Sequence, residues 1–183
     1  MQAQRDSLEA QKGLPLIPGA VEGVAGLGKL VPILGYLTVR PVSVVEPTLE
    51  WLREHGFPLV PVVAKPNDVP FSEGNEWKGR VLNELFSLGV TGIVDDNPKV
   101  SIHAGADYPG TLFLFGRSTS PSGAEHAIPC ETWDLVVAAA KERTIKLNEC
   151  IATTSSSCGE EQRLLEGKNE ELEQGKECAV KEC

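Results

Sequence analysis

The chain has 183 residues, enough for one domain with its own core, and 41% of them are apolar. Its formal net charge of −9 argues against nucleic acid or an anionic membrane surface as main partner, because phosphate contacts need Lys and Arg. No run of about 18 apolar residues occurs and the polar start, Met1 to Lys12, lacks the apolar stretch of a signal peptide, so a soluble, cytoplasmic protein is expected.

Residues 1–16 read as a polar lead-in, 17–146 as one α/β domain, and 147–183 as a tail rich in Ser, Glu, Lys and Cys. Within the domain, Val31-Pro-Ile-Leu-Gly-Tyr-Leu-Thr38 is a short apolar run suited to a buried strand. A helix follows within 43–55. Its start lies either at the capping-box pattern Ser43–Glu46 or at Pro47, and Gly56 is its expected stop. Leu59-Val-Pro-Val-Val63 is a second strand, and its proline points to a sheet edge.

Asn75 is placed to cap a helix over 76–87, where Trp77, Val81 and Leu85 recur every four residues. Val90–Val94 is a third strand, ending at Asp95, and Thr111–Phe115 a fourth. A loop over 117–130 precedes a last helix with Trp133, Val136, Val137 and Ala140 on one face. Strands alternating with helices imply a parallel sheet covered on both sides.

The tail has too few apolar side chains to offset its ordering entropy, so it is expected to be disordered or marginally helical. Whether it contacts a protein partner is left open. The cysteines are 130, 150, 158, 178 and 183. Their number is odd and no Cys-x-x-Cys pair occurs, which reads as free thiols in a reducing compartment rather than a zinc site.

Ligands of open α/β sheets collect at the carboxyl ends of strands, and three polar signals fall there or nearby. Asp95-Asp96-Asn97-Pro98 follows the third strand. Adjacent carboxylates suit Mg²⁺, but Asn97 and Pro98 equally suit a helix start whose dipole favours nearby anions. Thr38 ends the first strand, where its hydroxyl either meets a phosphoryl oxygen or is an ordinary β-branched side chain. Lys78 lies in the first turn of its helix, opposed to the helix dipole. It is either a point charge for phosphate or a solvated surface lysine.

The order of a strand-end Thr, a helix-start Lys and a strand-end Asp-Asp resembles the haloacid dehalogenase (HAD) superfamily, mostly Mg²⁺-dependent phosphohydrolases. Thr38 matches the second motif of that family, Lys78 the third, and Asp95–Asp96 the fourth. The phrases Gly35-Tyr-Leu-Thr-Val-Arg-Pro41, Trp51-Leu-Arg-Glu-His-Gly-Phe-Pro58 and Gly92-Ile-Val-Asp-Asp-Asn-Pro98 carry the likeness, which spans about 17–141. The resemblance implies a Rossmann-like three-layer α/β/α fold with a mainly parallel sheet of about four strands. It further implies that Thr38 orients a phosphoryl group, Lys78 neutralises it, and Asp95 and Asp96 hold Mg²⁺ for a small phosphorylated substrate.

The family's first motif, an apolar strand ending in Asp-x-Asp that carries the nucleophile, has no counterpart. No Asp-x-Asp occurs in the sequence, and Asp6 is the only aspartate before Thr38. In the family fold that strand lies between the strands ending at Thr38 and at Asp95. The expectation is therefore an incomplete, inactive phosphohydrolase core with its central strand missing. A Mg²⁺ or phospholigand-binding remnant and a protein-interaction module are the alternatives. Either the strands that should flank the missing one pair directly, or the missing strand comes from elsewhere.

Overall fold

The computed structural model describes residues 13–146. The expected tail, 147–183, and most of the lead-in lie outside them. The chain divides after Lys141 into two units, and the account below concerns the first.

Helix α1 (Ala20–Gly28) comes first. It is followed by β1 (Tyr36–Pro41), α2 (Val45–Glu54), β2 (Val62–Lys65), α3 (Gly74–Ser87), β3 (Gly92–Asp95), α4 (Pro98–Ala104), β4 (Thr111–Phe115) and β5 (Ala127–Cys130). Residues 133–146 are helical (α5). Single 3₁₀ turns, Val42–Val44 and Phe71–Glu73, lead into α2 and α3. The architecture is mixed α/β, and no helix among the described residues is long and apolar enough to cross a membrane.

Among the described residues five strands form, against about four expected, and every pairing is parallel. They make two sheets, β1-β2 and β3-β4-β5. β1 and β3, the strands that the resemblance sets on either side of the missing one, are not paired with each other. Among the described residues, no strand pairs with the second edge of either. Tyr36 donates its amide to Pro61 O, and Tyr36 lies opposite Val62. Parallel alternation then turns the amide and carbonyl of Leu37 away from β2. Thr111 donates to Thr91 O opposite Gly92, so the backbone groups of Gly92 and Val94 likewise point away from β4. Burial follows the same division. β4, flanked on both sides, buries Leu112, Phe113 and Leu114, whereas all six residues of β1 are half-buried.

Two apolar clusters hold the unit together. One joins Leu82 of α3 and Val100 and Ala104 of α4 to Leu112 and Leu114 of β4, with Leu37 of β1 and Ile93 of β3 against its rim. The other takes the opposite face of β4 through Phe113, with Leu27 of α1 and Val136 and Ala140 of α5. Two glycines permit close approaches between helices. A Cβ on Gly23 would lie 2.5 Å from the Trp133 ring, and one on Gly79 would lie 2.6 Å from the His103 backbone. The second contact sets α3 directly on α4, and Asn83 Nδ2 bridges them by donating to Gly79 O and Ala104 O, both at 3.0 Å.

Several boundaries differ from the sequence reading. The first strand starts at Tyr36, not Val31, and runs on through Arg40 and Pro41. The Ser43 capping box does not form: α2 starts at Val45 with no side-chain cap bond, and Pro47 sits in its first turn, where an amide is not needed. Gly56 does end α2, with φ 78°. β5 lies within the segment read as loop. Its Pro129 is tolerated because β5 is an edge strand.

Candidate functional site

The carboxyl end of β3 and the first turns of α3 meet at a small polar cluster. Asp95, the last residue of β3, is buried, and Lys78 of α3 makes an ion pair with its Oδ2. The two side chains are 4% and 12% exposed, so the pair is largely removed from water, where an isolated charge is costly. Asp95 Oδ1 accepts the Asn97 amide at 2.8 Å, which closes the turn locally. Both carboxylate oxygens are thus engaged within the protein.

Asp96, next in the chain, is exposed. Its carbonyl accepts from Arg117 Nε at 3.3 Å and Nη2 at 3.2 Å, and Arg117 stands just beyond the carboxyl end of β4. Asn97 caps α4: its Oδ1 accepts the Lys99 amide at 3.0 Å, and Pro98 occupies the first helical position. The cap reading of this turn is therefore realised, and the ion pair is formed beside it. Asn97 also donates Nδ2 to Asn75 Oδ1 at 2.9 Å.

Lys78 does not sit in the first turn of its helix. α3 starts at Gly74, two residues before the expected 76, because the preceding 3₁₀ turn feeds straight into it. Lys78 lies one turn further in, where the opposition of the dipole is weaker and Asp95 compensates its charge. Asn75, expected as the cap, is already inside α3; the cap position is Glu73, with no side-chain bond.

Thr38 is not the last residue of β1, but regular register with β2 ends there: Thr38 faces Ala64, and the next pair is Pro41 with Lys65. Its Oγ1 accepts the Arg40 amide at 3.2 Å, which leaves the hydroxyl proton for another acceptor. Among the described residues, no hydrogen bond links Thr38 to the Lys78–Asp95 pair. The structure brings Lys78, Asp95 and Asp96 together and leaves Thr38 on the other sheet.

Asn75 and Arg117 escaped the sequence reading as site residues. Arg117 had a usable signal, since it lies two residues beyond the carboxyl end of a predicted strand. Asn75 had none, because an Asn before a helix reads first as a cap.

Among the described residues no group of three or more His, Cys, Asp or Glu could hold a metal ion. Two adjacent carboxylates match the number that Mg²⁺ commonly takes from protein, with water and phosphate completing its shell. The hard oxygen donors fit that ion. Asp96 offers an exposed carboxylate, whereas the two Asp95 oxygens are engaged by Lys78 and by the Asn97 amide. No family model, no curated protein and no solved structure matches this chain.

Proposed function

We propose that this chain is the metal- and phosphoryl-holding part of a HAD-like, Mg²⁺-dependent phosphohydrolase core of Rossmann-like three-layer design, without the carboxylate nucleophile and inactive by itself. The observation that supports this reading is the Lys78–Asp95 ion pair. Residues 17 apart in sequence, which the motif order assigns to one site, meet at the carboxyl end of a parallel strand. In this reading the second edges of β1 and β3 flank one absent strand, and that strand would bring Thr38 and the Lys78 cluster to opposite sides of a shared site.

The ligand class is a small phosphorylated molecule, and the setting is cytoplasmic. Asp95 and Asp96 would hold Mg²⁺, which supplies charge neutralisation at the phosphoryl oxygens. Lys78 would turn from Asp95 to the phosphoryl group as a point charge, and the Thr38 hydroxyl would orient that group by donating a hydrogen bond. A non-catalytic Mg²⁺ or phospholigand-binding role is the second reading. It is favoured by the same ion pair, which leaves a buried, self-satisfied cluster in place of a reactive carboxylate.

Loss of a catalytic nucleophile lowers turnover by roughly 10⁴–10⁶. The purified chain with Mg²⁺ is therefore expected to leave 4-nitrophenyl phosphate intact above background. Mg²⁺-dependent turnover that disappears in Asp96→Asn would overturn the absence of a nucleophile.

A further inference from the structure

Lys78, Asp95, Asn97 and Asn75 close a ring between α3 and the β3–α4 turn. Lys78 donates to Asp95 Oδ2, Asp95 Oδ1 accepts the Asn97 amide at 2.8 Å, and Asn97 Nδ2 donates to Asn75 Oδ1 at 2.9 Å. Asn75 and Lys78 are three residues apart on one helix and so share a face. The ring thus ties one helix face to one turn by two separate bonds, an ion pair and an amide–amide bond.

Asn75 and Asn97 are both half-buried. The α4 cap uses only Asn97 Oδ1, so the bond from Nδ2 to Asn75 is not needed for capping. It adds a constraint across elements. A long lysine side chain loses substantial rotamer freedom when held on one partner. A second tether one turn away lowers that cost by fixing the helix relative to the turn before Lys78 engages.

We propose that Asn75 and Asn97 are positioning residues that clamp α3 to the acidic turn and thereby hold the Lys78 ammonium on Asp95. The clamp sets how readily Lys78 leaves Asp95 for an incoming anion. Its functional meaning rests on the phosphoryl-site reading, but its physical content does not, so the test uses the full chain without Mg²⁺ or phosphate.

Hydrogen exchange of the Lys78 ammonium, followed by ¹H–¹⁵N NMR, reports how tightly the ion pair is held. Asn75→Ala cuts the clamp from the helix side. Asn97→Ser cuts it from the turn while keeping a good helix cap. Each is expected to speed exchange about fivefold, the change that loss of one net hydrogen bond gives. Asn75→Asp, which still accepts from Asn97 Nδ2, is expected to stay near wild type. Ile128→Val, in the other apolar cluster, serves as a destabilised control and is expected to leave the signal unchanged. Wild-type exchange in both Asn75→Ala and Asn97→Ser overturns the proposal, as does acceleration in Ile128→Val equal to theirs or failure of Asn75→Asp to restore slow exchange. Should one cutting variant not fold, the other and the Asp rescue still decide it. Failure of Mg²⁺ to bind would overturn the functional reading and leave this result standing.

Discussion

Removal of the Lys78 charge tests whether the ion pair is held away from water. Lys78→Met keeps most of the side-chain volume and leaves Asp95 with a side chain 4% exposed in the parent protein and its main counter-charge gone. Breaking a buried pair from one side costs about 3–5 kcal/mol. Asp95 retains the Asn97 amide at 2.8 Å, which places the expectation at the low end, about 3 kcal/mol. By the size dependence of unfolding entropy, such a loss lowers the midpoint by about 10 °C. Adding Asp95→Asn removes the stranded charge and keeps an acceptor for the Asn97 amide, so the double variant should recover to within about 1 kcal/mol of wild type. Urea unfolding of the full chain measures all three. A Lys78→Met variant within about 0.5 kcal/mol of wild type would match an exposed surface pair and refute the burial argument, as would a double variant as unstable as the two losses added.

Gly79→Ala should lose about 1–3 kcal/mol in urea unfolding, because its Cβ would lie 2.6 Å from the His103 backbone; that outweighs the roughly 1 kcal/mol a helix interior gains from the change, and a net gain would mean α3 is not seated on α4. His126 is buried, has no well-formed hydrogen bond on either ring nitrogen among the described residues, and stacks edge-on with Tyr108 at 5.4 Å. Burial pushes its imidazole below the ordinary 6.5 and outweighs the opposing effect of the Ser101 backbone. Above pH 6.5 the ring is neutral folded and unfolded, whereas below it the unfolded chain takes the proton first, so stability should fall as pH falls from about 6.5 and level off once the folded ring also titrates. His126→Phe should flatten that part of the stability–pH curve, and an unchanged slope would assign it to other groups. Asp96→Asn, at an exposed position, should change stability by less than about 0.5 kcal/mol.

What was legible in the sequence tracks how local its cause is. Leu112–Phe115 is a continuous apolar run, and Thr111–Phe115 forms the most buried strand where expected. The stop at Gly56 and the cap at Asn97 were also readable, since each depends on one residue's own chemistry. Ala127–Cys130 was hidden because four residues containing a proline carry no period, and only pairing with β4 makes them a strand. The start of β1 moved from Val31 to Tyr36 because pairing begins where Pro61 O meets the Tyr36 amide, which apolarity alone does not mark. Lys78 and Asp95 could be nominated from their positions, but the Asn75–Asn97 bond could not, since it depends on how two elements pack.

Calorimetric titration of Mg²⁺ into the full chain, wild type beside Asp96→Asn, addresses the proposed site most directly. A saturable heat in wild type that is lost in Asp96→Asn, with both proteins equally stable, is the predicted result. No heat in wild type, or the same heat in the variant, would contradict the assignment of Asp95–Asp96 as a metal site.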